Sequence, residues 1–372
     1  MNYLIPEFTG MGDVIQQTPM IRAIHDVDKN AQIFVIGDNR WQGLNLIKDS
    51  DLITETYNVL ERLGLELPDR YTNSDISDIY KKITRKEHDK VSSWLKNSNI
   101  DVFLQPQHCD VPAFVLSLIN KVDCCTVYRH VDINDVEESK LLDRWKKKKK
   151  SIHVPVLKGR HDIDSNYDLL EAMVIEPFSR RYKTWISLPG DQVVLDRWQL
   201  LKNKYVCLQP GAANGAPTPK VWDPQNFVAL ASELMNQAGA TVVLLGDQGD
   251  QESIISTHDW PPGVINTAGE TTIDDLISLL KYGSCVIAHD SGIMHLANAI
   301  EVPLIALYGP TDFTATKPLG ESSTILFSKT EAFAAMYRST ASEKKLAEEY
   351  PNYSAMAGIT VSDVMQVVKK LL

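Results

Sequence analysis

Short apolar runs alternate with longer amphipathic stretches along most of this chain. Near the start, Tyr3-Leu4-Ile5 reads as a strand, and Thr9-Gly10-Met11-Gly12-Asp13 as the turn out of it. The next segment places Val14, Ile15, Thr18, Ile21 and Ile24 on one face, the spacing of an amphipathic helix. Ile33 to Ile36 reads as a strand ended by Gly37-Asp38, with Val102 to Leu104 and Cys124 to Tyr128 as further strands. Between them, from about Asn58 to Lys96, the chain is charged and helical but too weakly periodic to order. From Lys204 the alternation resumes, with strands at Tyr205 to Leu208, Thr241 to Leu245, Val264-Ile265, Cys285 to Ala288 and Pro303 to Leu307. Helices are expected after Pro224, from Ile273 to Leu280 and from Ser291 to Ile300. Short apolar runs alternating with helical stretches predict an α/β architecture with parallel sheets.

Length turns this pattern into two domains, because 372 residues exceed one ordinary core. The charged, aromatic stretch Lys158 to Gly190, with Pro177 and Pro189, is where the boundary is expected. We divide the chain into 1–185, 186–355 and a terminal segment 356–372. In that segment Thr360-Val361-Ser362-Asp363 has the form of a capping box. Val361, Val364, Val367, Val368 and Leu371 give the helix behind it an apolar face. Two facing α/β halves would leave a cleft, where ligands favour binding.

Composition narrows the function classes. A hydrophobic share of 44% with 23% charged residues is that of a globular protein. The apolar runs are all far shorter than a membrane span, and Met1 to Pro6 lacks the form of a signal peptide. The cytoplasm is the expected compartment, with at most a peripheral place at the inner membrane face. A net charge of −10 opposes general nucleic-acid binding. Against that background Lys146 to Lys150 is a concentrated basic run. A solvated helix end or loop is its commoner use; contact with an anionic acceptor or a membrane surface is the sharper one. Five cysteines without a CxxC pair suit buried thiols, and the scattered histidines show no metal-ligand spacing, so no metal is expected.

Three motifs carry candidate chemistry. Gly10-Met11-Gly12-Asp13 lies where the first strand turns into the first helix. The third glycine of a dinucleotide fingerprint is missing, which disfavours a nicotinamide dehydrogenase. What remains is Asp13 at a helix start, where an aspartate most often caps and where the helix dipole favours the ionised carboxylate. Lys220 stands in Thr218-Pro219-Lys220-Val221-Trp222-Asp223-Pro224, just before a helix, after the loop Pro210 to Gly215. It is either placed to meet phosphate or a surface lysine beside a packed tryptophan. His289-Asp290-Ser291-Gly292-Ile293-Met294-His295 follows a strand and opens a helix, so Ser291 and Gly292 can turn backbone N–H groups towards an anion. His295 returns to the same helix face as Ser291 one turn later. A capping aspartate and a core histidine are the alternative reading.

Together these motifs resemble glycosyltransferase family 9, the family of the ADP-heptose:lipopolysaccharide heptosyltransferases. The similarity rests on Gly12-Asp13-Val14-Ile15 with Thr18-Pro19 and Arg22-Ala23, and then on most of Tyr205 to Gly320. Its specific pieces include Pro210-Gly211-Ala212, Lys220-Val221-Trp222, Asn266-Thr267-Ala268-Gly269, Asp290 to Ala297 and Ala306 to Thr311. Residues from about Asp38 to Tyr182 match little. Pro6-Glu7, where the family carries apolar and basic residues, and Asn214 to Pro217 depart from it.

The resemblance implies a GT-B fold, two Rossmann-like domains facing a central cleft, with 1–185 on the acceptor side, 186–355 holding the donor and the last helix packing back on the N-terminal domain. It implies inverting transfer without a metal or other cofactor, from a nucleoside-diphosphate sugar to a hydroxyl of a glycan, glycolipid or other acceptor, in lipopolysaccharide or other surface-glycan synthesis. An ADP-sugar is favoured and heptose expected, with other nucleotide sugars open. Asp13 is the expected general base, and Lys220 the expected stabiliser of the leaving diphosphate. Gly12, Gly211, Ala212, Ala213, Asp290, Ser291, Gly292 and His295 are expected around the donor, with Asp247 or Glu252 on ribose hydroxyls. A sugar-nucleotide epimerase and a non-catalytic sugar-nucleotide-binding protein are the alternatives. The epimerase would need a second carboxylate motif in the N-terminal half, and a binder is expected to lack Asp13.

Overall fold

A computed structural model describes residues 1–67, 73–106, 109–129, 150–155, 157, 159–173, 178–212, 218–338 and 343–371. The chain divides into two compact units, Met1–Ser187 and Leu188–Leu372.

In the first unit the described residues form one parallel sheet from β1 (Asn2–Glu7), β2 (Gln32–Gly37), β3 (Glu55–Asn58), β4 (Val102–Gln105), β5 (Cys125–Arg129) and β6 (Ser151–Val154). Their spatial order is β3-β2-β1-β4-β5-β6, so the chain changes direction across the sheet between β1 and β4. Pro6 lies inside β1, paired opposite Ile36 of β2, while the ladder to β4 covers only Tyr3 and Leu4. On that side Pro6 has no rung to break, which is how the strand tolerates it. The first helix, Met11–Val27, and the helix Asp162–Ala172 pack together in this unit. One core holds Leu4, Phe34, Ile36, Phe103, Val115 and Tyr128.

The second unit repeats the plan with β7 (Tyr205–Leu208), β8 (Thr241–Leu244), β9 (Ile265–Asn266), β10 (Cys285–His289), β11 (Leu304–Tyr308) and β12 (Ser323–Phe327). The order is β12-β11-β10-β7-β8-β9, again parallel, with the change of direction between β7 and β10. In open parallel sheets that crevice, at the carboxyl ends of the strands, is where ligands bind.

In the C-terminal helix Val361–Leu371, Val364, Met365 and Val368 are buried in the second unit's own core with Leu230, Leu234, Val242 and Trp222. The physical reason is the amphipathic helix Pro224–Ala238, which leaves an apolar stripe beside β8 for the terminal helix to cover. Among the described residues no helix is long and apolar enough to cross a membrane.

Candidate functional site

Three chain segments of the second unit meet at the crevice between β7 and β10. The first is Gln209-Pro210-Gly211-Ala212, leaving β7, with its backbone and side chains buried. Ala213 and residues 214–217 lie outside the described residues, as do Lys146 to Lys149. The second is Thr218 to Trp222, which leads into the helix Pro224–Ala238. Asp223 caps that helix by accepting from the Gln225 N–H at 2.9 Å. The third is His289 to Gly292, running from β10 into the helix Gly292–Ala299.

His289 joins all three. Its imidazole is fully buried; Nε2 accepts the Trp222 backbone N–H at 2.9 Å and Nδ1 lies 3.2 Å from the Gly211 carbonyl oxygen. Since Nε2 accepts, the ring proton is on Nδ1 and is donated to Gly211. Burial pushes the pKa of His289 down to about 4, the Lys220 charge adds to this, and the Gly211 bond and Asp290 oppose it. Trp222 is itself fully buried, set edge-on to Phe227 and donating Nε1–H to the Ile359 carbonyl at 2.9 Å. Lys220, two residues earlier, is half-buried. It is therefore held beside a rigid anchor, with an ammonium near enough to act on His289.

The helix start is ordered in the same way. Ser291 donates its hydroxyl to Gln209 Oε1 at 2.7 Å and receives the Met294 N–H at 3.5 Å, so its side chain is the cap. The first N–H groups of such a helix have no intrahelical acceptor, and with Gly292 there is no side chain to keep an anion away. Asp290 and His295 are both mostly buried, with Nε2 of His295 3.8 Å from Asp290 Oδ1. Asp290 thus faces His295 within the fold.

Asp247 and Glu252, expected on ribose, take other partners here. The Asp247 carboxylate caps a short turn by accepting from the Asp250 N–H at 2.9 Å. Glu252 is exposed and accepts from the Gln248 amide at 2.8 Å. The buried acid of that segment is Asp250, which no sequence motif marks. A Cβ on Gly211 would overlap its carboxylate, and one on Gly246 would come within 2.8 Å of its Cβ. Asp250 thus fills the space between the two glycine turns that end β7 and β8. His289 and Gln209 were likewise missing from the expected set, although the crowding of His289-Asp290 and His295 in the sequence marked the region.

Gly12 and Asp13 belong to the first unit, in the opening turn of the helix Met11–Val27. The cap position is Gly10, so Asp13 is not used as a cap; its Oδ2 accepts the Thr9 hydroxyl at 2.7 Å and the residue is half-exposed. Behind it lies Glu7, only 2% exposed at the end of β1. Neither carboxyl oxygen of Glu7 has a hydrogen-bond partner among the described residues. Burial holds its pKa well above the usual carboxylate value, and the Asp13 charge adds to the shift; the Gln17 side chain, outside bonding geometry, opposes it. At the end of β2, Asp38 is bound in the interior by Arg40 at 2.5 Å and by the Tyr80 hydroxyl at 2.6 Å. Asn39, Trp41 and Gln42 beside it all have φ between 51° and 63°. Three non-glycine residues in the left-handed region within four positions are strained backbone of the kind that gathers at ligand sites.

Two Rossmann-like units, each with its change of strand direction beside the first strand, define a protein of the GT-B fold class. The model of glycosyltransferase family 9 (heptosyltransferase) matches residues 139–347, more than half of the chain. The chain belongs to that family. Among its relatives, lipooligosaccharide heptosyltransferase 2 of Haemophilus influenzae is 36% identical over 122 residues, which are 32% of this chain and 34% of that protein. The match thus spans about a third of that relative's length. Two solved structures share the fold over the whole chain. A family 9 glycosyl transferase from Veillonella parvula has a TM-score of 0.72 at 17% identity, covering 100% of this chain and 96% of that one. Escherichia coli ADP-heptose lipopolysaccharide heptosyltransferase II has a TM-score of 0.69 at 18% identity, covering 100% and 98%.

Proposed function

We propose that this chain is an inverting glycosyltransferase that moves a sugar, heptose in the first instance, from an ADP-sugar to a hydroxyl of a glycan or glycolipid, in lipopolysaccharide or other surface-glycan synthesis. The observation that carries the reading is the convergence at the β7/β10 crevice of the Lys220 segment, the Gly211 turn and the helix start at Ser291-Gly292, all tied to β10. A cation and a helix N-terminus aimed at one crevice suit a diphosphate. What supports an ADP-sugar donor is that an ADP-heptose enzyme shares the fold and a heptosyltransferase is 36% identical over 122 residues.

In this reading Asp13 takes the proton of the acceptor hydroxyl, whose oxygen attacks the anomeric carbon from the face opposite the diphosphate. The bond from that carbon to the diphosphate oxygen breaks, and the nucleoside diphosphate leaves with the electron pair. Its growing charge is met by Lys220 and by N–H groups at Gly211-Ala212 and Ser291-Gly292, which takes the place of a divalent cation. The half-buried Asp13, hydrogen-bonded to Thr9 but not used as a cap, supports the base assignment over a purely structural one. Peripheral membrane contact would suit a lipid-linked acceptor.

Calorimetry with ADP, GDP, UDP, CDP and TDP, followed by nucleotide release from ADP-heptose with lipopolysaccharide-core acceptors, tests this. We expect ADP to bind most tightly, and release to require acceptor and to persist in EDTA. Preference for another nucleotide would overturn the donor. Turnover of a nucleotide sugar without acceptor and without release would favour an epimerase.

A further inference from the structure

Fixing Lys220 against a diphosphate is a mechanical problem, because Thr218 to Trp222 lie outside any strand or helix. A lysine side chain has high rotamer entropy, and its backbone must first be held in place. Thr218 Oγ1 gives local support, lying 3.4 Å from the Lys220 N–H. Across the fold, the Trp222 N–H ties this segment to the end of β10 through its bond to His289. The other nitrogen of the same ring holds the Gly211 carbonyl, and so sets the turn expected to present N–H groups on the opposite side of the anion. Phe227 stands edge-on to the imidazole at 5.3 Å, which fixes the ring plane. Nothing else is asked of this histidine: it is fully buried and cannot itself touch a ligand.

We propose that His289 is a positioning residue of the donor site, a single imidazole bridge that sets the distance between the Lys220 segment and the Gly211 turn and so tunes the site to a diphosphate. The proposal rests on the reading of this crevice as the diphosphate site. It predicts a selective defect: loss of the bridge lets the two segments drift apart, weakening diphosphate binding while leaving the nucleoside's own contacts in place. It also predicts that His289 acts through Lys220, so that the two are energetically coupled.

The test is a double-mutant cycle on the full chain, read by calorimetry with ADP and with adenosine. His289→Leu removes both bonds, whereas His289→Gln keeps one donor and one acceptor on a carboxamide. Lys220→Met removes the cation in each background. We expect His289→Leu to weaken ADP by about tenfold or more and adenosine by less than about twofold. His289→Gln should recover most of the loss, and Lys220→Met should cost less without the bridge than with it. Equal losses for ADP and adenosine, or additive effects of the two substitutions, would overturn the proposal, leaving a merely structural histidine. If His289→Leu does not fold, as judged by its thermal transition, His289→Asn, whose shorter carboxamide cannot span both partners, takes its place in the cycle with the same expected outcomes. Failure of the unaltered chain to bind any nucleoside diphosphate would instead sink the donor reading, and this inference with it.

Discussion

Charge and burial at single residues decide most of what this protein is expected to do. Asp13 is half-exposed and Glu7 behind it is sealed, so two carboxyls close together differ in environment. Asp13→Ala should cost about a hundredfold or more in transfer while leaving ADP affinity within about twofold; a matching loss of ADP affinity would take the base role from it. Glu7 makes the opposite kind of prediction. A carboxyl whose folded pKa is raised stabilises the fold fully below its unfolded value and loses that contribution as pH rises through the folded one. The unaltered chain should therefore lose stability towards alkaline pH, and Glu7→Gln should remove that slope. At the alkaline end the variant should be more stable by about 1–3 kcal/mol, the cost of a buried unsatisfied polar group; denaturant melts across pH 6 to 9 would show it. His289 works in the acid range. Its folded pKa of about 4 lies below the ordinary 6.5, so the stability it contributes is full above 6.5 and is lost as pH falls towards 4. Melts at pH 7, 5.5 and 4.5 should show a loss of up to about 3 kcal/mol that His289→Gln lacks.

Elements were legible where burial on both faces forces an apolar run. β7 and β10 are buried at every position, and the runs Tyr205 to Leu208 and Cys285 to Ala288 announced them. The three strands that went unread, β3, β6 and β12, are all sheet edges. Their sequences, such as Glu55-Thr56-Tyr57-Asn58 and Ser323-Thr324-Ile325-Leu326-Phe327, are half-buried and mixed, so no run marks them. The helix Asp162–Ala172 was hidden for a related reason: its buried face includes Asp162, Ser165 and Asn166, polar residues that mask the period. The site shows the same limit. Gly211, Lys220 and the Asp290-Ser291-Gly292 turn were visible as local motifs. The roles of His289 and Gln209 depend on partners 67 and 82 residues away, Trp222 and Ser291, and no spacing rule reaches that far. The capping box at Thr360 was readable because it is local, and both of its reciprocal bonds form with Asp363. Thr360→Ala should lower stability by about 1 kcal/mol, seen as an earlier thermal transition with ADP affinity unchanged.

For the whole chain, the main consequence is that each unit carries a core of its own. The core containing Leu4, Phe103 and Tyr128 draws only on the first unit, and that containing Val206, Leu230, Ile287 and Val368 only on the second. The C-terminal helix strengthens this division, since its buried residues complete the second unit's core. An autonomous core is what lets a domain fold alone. All the groups assigned to the donor diphosphate also come from the second unit, and the bonds that order them, from Gly211, Trp222, Gln209 and Ser291, stay inside it. Residues 188–372 produced alone should therefore unfold in one cooperative transition and bind ADP within about tenfold of the full chain, yet transfer no sugar for want of Asp13. The same piece cut before Thr360 should lose the transition, because removing the terminal helix uncovers Leu230, Leu234 and Trp222. A folded 188–372 that fails to bind ADP would show that the first unit supplies donor contacts, and the assignment of the diphosphate site to the β7/β10 crevice alone would have to be withdrawn.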